Sequence, residues 1–329
     1  MLSRVADSLY WMSRYVERAE NVARIIDVNL NLMLDNPVGG EQQWQPLIDT
    51  LADHQAFSHR GTVADSDNTI RFLSFDPENG NSILSCIGAA RENARSIREI
   101  ISSEMWEQLN SFHLRLQDQA AQGSVGLETS LAFYAEVKQA CHLFSGITGA
   151  TMTRNEAWHF IELGRLIERA DKTSRILDVK YYIPAGSAAE AVAGLDDIHW
   201  AAVLRSASAF EMYRKRHGRI QPDGIIEFLL LDADFPRSVR HCLDGARASL
   251  HHITGTPLGS FRNPSEKLLG QLCSDLAFTQ VDEIEDAGLH DYLDGLQTKI
   301  NLVGSGIYDT FFAFRTPTLS RRSRYNEAH

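Results

Sequence analysis

The chain has 329 residues, 43% of them hydrophobic, which is enough for one large or two ordinary cores. A formal net charge of -11 and a pI of about 5.5 argue against general binding to nucleic acid or to an anionic membrane. Its four cysteines, Cys86, Cys141, Cys242 and Cys273, form no close pair, so neither a zinc knuckle nor a disulfide framework is indicated and a reducing, cytoplasmic compartment is expected.

Ser3 to Asp35 predicts one long helix with two stripes. Val5, Leu9, Met12, Val16, Ala19, Ala23, Ile26, Leu30 and Met33 follow at alternating steps of three and four, a spacing that keeps one seam against a partner helix. Tyr10, Arg14, Glu17, Asn21 and Arg24 occupy roughly the opposite side, where Arg and Glu at these steps can pair. The helix opens with Arg4 and Asp7 in its first turns, unlike a leader. No apolar run approaches the roughly 20 residues of a membrane span, and a bacterial-type cytoplasmic protein is expected. Asn36-Pro37-Val38-Gly39-Gly40 stops the helix.

A shorter amphipathic piece follows at Trp44 to Leu51. His54 to Asn68 is polar and poorly periodic, Thr69 to Phe75 reads as a short helix, and Asp76 to Asn81 is a turn cluster. Asn81 to Ser102 reads as one full helix with the seam Ile83, Ile87, Ala90, Ala94, Ile97 and Ile101. Its polar groups include Glu92, Asn93 and Arg95, with Arg95 falling relative to the seam where Arg24 falls in the first helix. Ser102 to Ala121 is the next helix, and Gly123 to Gly126 separates it from Leu127 to Met152.

Thr153-Arg154-Asn155-Glu156 has the form of a capping box and opens a helix that runs to Ile183 and stops at Pro184. This helix repeats the first. One fixed shift aligns Arg14 with Arg165, Glu17 with Glu168, Arg18 with Arg169, Ala19 with Ala170 and Arg24 with Arg175. The same shift carries Asp27-Val28 onto Asp178-Val179. A solvated face needs charge but no particular order of charges, so a recurring order suggests that these groups face something specific.

Ala185 to Gly194 reads as a small-residue connector, and Leu195 to His217 as a helix with Trp200, Leu204 and Phe210 on its apolar side. Ile220 to Leu243 gives a short helix, a turn at Asp232 to Pro236, and a new helix with Pro236 in its first turn. A second capping box, Asn263 to Glu266, opens the penultimate long helix. The last helix, Leu289 to Phe314, precedes a basic disordered tail, 315–329. No segment shows β-branched alternation, and the apolar run Phe228 to Leu231 sits between helix signals. The expectation is all-α: a multi-helix bundle in one domain, 1–314, built of two related halves, about 1–150 and 151–314, with long antiparallel helices.

The first helix, the Ser82 to Asn110 region, Leu163 to Asp178 and Phe228 to Leu243 together resemble the alpha-E family, a bacterial helical repeat, over essentially the whole chain. Its acid-rich motifs correspond to Glu17, Arg18 and Glu20, to Glu92 and Asn93, and to Glu168, Arg169 and Asp171. The resemblance implies a circularly permuted ATP-grasp protein, like a carboxylate-amine ligase, and a transglutaminase-like protease as associated proteins, and a part in making or modifying a peptide or amide-linked metabolite.

On that basis the chain is expected to be an accessory or substrate-handling partner of the ligase. Arg14, Arg18, Arg24, Arg165, Arg169 and Arg175 can hold carboxylates or phosphates bidentately, with Glu17 and Glu168 orienting them. The competing structural account is a buried Arg/Glu network that locks the two halves together. An alternative function is a carboxylate/His metal site: Glu156 and His159 have Glu-x-x-His spacing, but the first repeat offers Val5 and Ser8 instead and no second ligand set. A purely structural interaction scaffold is the third reading, with Trp11, Trp44, Trp106, Trp158 and Trp200 as candidate contacts.

Cys141-His142 and His241-Cys242 are adjacent on helices and point about 100° apart, so nucleophilic catalysis is not expected and no catalytic residue is assigned. No P-loop or GxGxxG sequence is present, and no cofactor is expected. Arg237 and Arg240, in the first turns of a helix after Pro236, could touch an anion there, but a solvated terminus is the expected reading.

Overall fold

The seam of the first stretch closes on its own repeat. The computed structural model describes residues 1–35, 44–51, 54–121, 127–182 and 195–313, and among them the chain is helical with no strand. Helix α1 (Ser3–Asp35) and helix α8 (Glu156–Tyr182) form the central pair. Ala19, Ala23, Ala170 and Ser174 are buried, small side chains that let two helices come close. The approach is tightest at Gly164, where a Cβ would lie 2.3 Å from the Tyr10 carbonyl oxygen and 2.6 Å from Ser13 Oγ.

The Met1 amine reaches Glu156, Gly164 meets Tyr10 and Ser13, and Glu17 meets Arg169, so the two repeat helices run in the same direction. Antiparallel packing describes their neighbours. Helix α5 (Ile83–Ser96) crosses α1 with Ser96 near Ser8 and Asn81 near Arg18. Helix α7 (Leu127–Thr151) sets Lys138 on Asp27 and His142 on Glu20. Between them α6 (Ser103–Ala121) pairs Arg115 with Glu136 of α7.

On the other side, α12 (Val239–Thr254) lies along α8, with Gly245 against Leu166 and His252 stacked on His159. Helix α15 (Leu289–Ile307) brings His290 to Asp178. Asp27 and Asp178, matched in the two repeats, are thus both anchors for an outer helix. Helices α2 (Trp44–Thr50), α3 (His54–Ser58) and α4 (Ser66–Ser74) come between α1 and α5. Helices α9 (Leu195–Ser206), α10 (Phe210–His217) and α11 (Pro222–Ile226) come between α8 and α12. Helices α13 (Pro264–Phe278) and α14 (Val281–Ala287) precede α15.

Several boundaries differ from the sequence reading for local reasons. The helix expected through Ser102 ends at Ser96, where Ile97 turns back onto the Ala94 carbonyl. Asn155, not Thr153, caps α8, accepting from the Ala157 N–H at 3.0 Å. Leu195 to His217 is two helices, broken at Ser208, which takes a positive φ of 52°. The run Phe228 to Leu231 lies in a π turn, Glu227–Leu231, and the last helix ends in another, Tyr308–Phe312. Pro236 lies ahead of α12, whose cap is Ser238, accepting from His241 N–H at 3.1 Å. The stop at residues 36–40, the break at 123–126, Ile183-Pro184, the connector 185–194 and the tail 315–329 lie outside the described residues. No described helix is long and apolar enough to cross a membrane.

Candidate functional site

Because α1 and α8 run in the same direction, matched residues sit level and each Glu-Arg pair meets the other. Arg169 donates to Glu17 through Nε at 2.8 Å and Nη2 at 2.7 Å. Arg18 donates to Glu168 through Nε at 2.7 Å and Nη2 at 3.1 Å. Each helix thus gives its glutamate to the other's arginine, in the forked geometry that makes arginine–carboxylate pairs strong and directional. Both carboxylates are buried, with side chains 1% exposed.

Around this exchange the network grows on both helices. Arg24 donates to Glu20 at 2.6 Å and Arg175 to Asp171 at 3.0 Å, one turn apart on matched positions. Asn21 Nδ2 donates to Glu17 Oε1 at 3.2 Å, and Lys172 lies 3.8 Å from Glu168 and 3.2 Å from Asp171. Arg14 donates to Glu168 at 2.7 Å and lies 4.8 Å above the Trp11 ring. Its repeat counterpart, Arg165, instead pairs with Glu162 on its own helix.

The place left open beside Glu17 is filled by Arg237, which donates to Glu17 at 3.3 Å and also to Glu20. Arg237 is buried, which corrects its reading as a solvated terminus: the turn before α12 carries it into the core. His142 is the other group the sequence reading passed over. Its Nε2 lies 3.0 Å from Glu20 Oε1 and 2.8 Å from an Arg24 nitrogen, and Arg24 also holds Ser208 Oγ at the helix break. A signal for Arg237 was present, since aligning Ser82 and Cys86 with Ser238 and Cys242 sets Arg237 opposite Asn81. Arg18 donates to Asn81 Oδ1 at 2.7 Å.

Burial opposes ionisation of Glu17, yet the Arg169 guanidinium holds its carboxyl below the usual range. Glu20 and Glu168 are held well below it against the same burial, by Arg237 and His142 for Glu20 and by Arg18 and Arg14 for Glu168. Asp171 is lowered by Lys172 and Arg175. These carboxylates are charged acceptors with their arginines as partners, and none is a poised proton acceptor. Burial pushes the thiols up, Cys141 well above the ordinary value and Cys242 to about 11, so neither is an activated nucleophile.

The remaining predicted residues fall elsewhere. Glu92 and Arg95 pair on the exposed outer face of α5, with side chains 52% and 62% exposed, and Asn93 accepts from Ser96 there through its carbonyl. The structure does not bring these three to the network. Glu156 pairs with the Met1 amine at 3.1 Å and His159 stacks on His252 at 4.4 Å; among the described residues no three His, Cys, Asp or Glu side chains group as metal ligands do. Trp44 and Trp200 are core residues.

A family model described as a predicted alpha-helical domain with a conserved ER motif matches residues 1–312. Glu17-Arg18 and Glu168-Arg169 are the Glu-Arg dipeptides of this chain. An uncharacterized protein of Mycobacterium bovis is 25% identical over 323 residues, covering 93% of this chain and 35% of that protein. An uncharacterized protein of Mycobacterium tuberculosis is 24% identical over the same length, with the same coverage. The chain therefore spans about a third of the relatives it matches. No solved structure matches it.

Proposed function

The chain belongs to the Alpha-E family, and from that membership and the geometry above we propose that it is a non-catalytic helical partner of an ATP-grasp carboxylate-amine ligase. In this reading it serves the synthesis or modification of a peptide or amide-linked metabolite in the cytoplasm, with a transglutaminase-like protease as a second associate. The observation that carries it is the reciprocal exchange between Glu17–Arg169 and Arg18–Glu168. The motif's charges are committed to one another inside the protein, so its work is to hold α1 and α8 in register and present the outer helices as one surface. The relatives support a partnership, because about two thirds of each lies outside the matched region.

We read the domain as two related halves, about 1–150 and 151–314. Contacts recurring at one shift support this: Arg60–Asp76 with Arg216–Asp232, and the thiol of Cys86 on the Gly80 carbonyl with that of Cys242 on the Pro236 carbonyl.

Native mass spectrometry of the protein gently purified from its own cells tests the partnership. A stoichiometric ligase-sized partner is expected. The bare chain alone would overturn the proposal and leave the network a purely structural role.

A further inference from the structure

Helix α10, the π turn Glu227–Leu231 and the start of α12 line an open pocket of about 260 Å³. Its lining carries both signs of charge, Arg216 and Arg240 on one hand and Glu227 and Asp234 on the other, with the His217 ring beside them. Part of this charge is structural. Arg216 is committed to Asp232, whose carboxylate also accepts the N–H groups of Asp234 at 2.8 Å and Phe235 at 2.6 Å.

Arg240 has no such commitment. Its Nη1 reaches the Leu231 carbonyl at only 3.3 Å, its Nε lies 3.9 Å from Asp244, and that Nε is buried without a hydrogen bond. That Nε is closed to solvent and so to a ligand, but the side chain is 31% exposed and its Nη2 donates to no described group, which leaves Nη2 for a carboxylate in the pocket.

A second observation separates frame from lining. The same frame occurs earlier in the chain: Arg60 pairs with Asp76 at 2.8 Å, Asp76 accepts the Glu78 N–H at 2.9 Å, and Ser82 caps the following helix. The wide turn recurs as well, with Asp76 N–H on the Arg71 carbonyl and Asp232 N–H on that of Glu227. In that earlier frame Gly61 stands for His217, Arg71 for Glu227 and Leu84 for Arg240. The frame forms there with Gly61, Arg71 and Leu84 at those places, and with Glu78, paired with Arg60, in place of Asp234, so His217, Glu227 and Arg240 are not what the frame requires.

We propose that this pocket binds a free α-amino acid, its carboxylate on Arg240 and its ammonium beside Glu227 and Asp234. An inorganic anion fits poorly, because those two carboxylates repel it. The inference goes beyond the partnership proposed above and does not depend on it, since the isolated chain carries every group named.

The test is isothermal titration of the full chain with each proteinogenic L-amino acid in turn and with inorganic phosphate. At least one amino acid is expected to bind, and blocking its amine by N-acetylation or its carboxyl by amidation should weaken binding about tenfold or more, the loss of one charge-assisted contact. Arg240→Gln and Glu227→Gln should each do the same in proteins whose thermal unfolding is unchanged, while Arg60→Ala, in the earlier frame, should leave affinity as it was. Binding of no amino acid, phosphate binding as tightly as the best amino acid, or indifference to both blocked derivatives and to Arg240→Gln would each overturn the proposal. The blocked derivatives act on unaltered protein, so a misfolded variant does not remove the test.

Discussion

Two Arg/Glu clusters in this molecule use the same residues at the same kind of spacing and end in opposite surroundings. Glu92 with Arg91 and Arg95 lies on the outer face of α5, and its carboxyl is lowered chiefly by the Arg95 hydrogen bond in open solvent. Glu17 and Glu168 lie between α1 and α8, desolvated, each forked by an arginine of the other helix. What differs is the partner. The α5 arginines belong to the same helix as Glu92, so the pairs ask nothing of tertiary structure, whereas the core pairs form only when the two repeats are side by side. Charge order along a helix is therefore local chemistry in one case and an assembly instruction in the other.

Removing one core carboxylate should have the largest effect. Glu168→Gln leaves Arg18 and Arg14 without their counter-charge in the interior and is expected to destabilise the protein by about 3–5 kcal/mol, as is Glu17→Gln for Arg169 and Arg237. Denaturant unfolding monitored by circular dichroism measures both. Glu17→Gln combined with Arg169→Met should lose less than the separate costs added together, because the stranded charge goes with its partner. Strict additivity would mean that the two groups do not act as a pair.

Acid should act chiefly on the same core, since the exposed Glu92 pairs have little stability to lose. Glu17, Glu20, Glu168 and Asp171 are all held below their ordinary values of 4.5 for glutamate and 3.8 for aspartate. A carboxylate whose folded value is depressed stabilises fully above its unfolded value and loses that contribution as pH falls toward the folded one. Stability should thus hold from neutral pH to about 5 and decline steadily below 4.5. Urea melts across that range check this, and a stability that stayed level down to pH 2 would contradict an ionised core.

Close approach of the two helices is a separate requirement. Gly164→Ala forces a methyl group against the Tyr10 carbonyl and should cost about 1–3 kcal/mol by overpacking. It should also weaken both forked pairs, visible as a loss of coupling in the Glu17/Arg169 cycle. Gly146 and Gly149 of α7, with open space around them, provide the control: alanine at either should be neutral or slightly stabilising.

Much of the core was legible in the chain because it is built from periodicity and repetition. The seam from Leu9 to Leu30 and the matched order of Arg14, Glu17, Arg18 and Arg24 with Arg165, Glu168, Arg169 and Arg175 follow from spacing alone. His142 was not legible in this way, and Arg237 only through the alignment of Ser82 and Cys86 with Ser238 and Cys242. They reach the network from a facing helix and from a turn, and nothing in their own neighbourhoods marks them as buried partners. Ser208 hid for a related reason: the residues around it favour a continuous helix, and its Oγ is held by Arg24 from far away in the sequence. Arg95 was over-read, because its place relative to a seam says which way it points and not whether a second helix covers it.

The outer cluster gives the smallest effect and the sharpest edge to the comparison. Glu92 faces water and meets only arginines of its own helix, so Glu92→Gln removes pairs that are screened and that hold long side chains in one geometry. A loss below about 0.5 kcal/mol is expected, falling toward zero as salt is raised, while the cost of Glu168→Gln should barely respond to salt because ions do not enter the core. If Glu92→Gln proved as damaging as Glu168→Gln, or equally indifferent to salt, the outer face of α5 would have to be covered by something that excludes water. The place to look would then be a partner chain seated over Glu92, Arg91 and Arg95, and the salt series repeated on the isolated chain and on the complex would say which molecule supplies the cover.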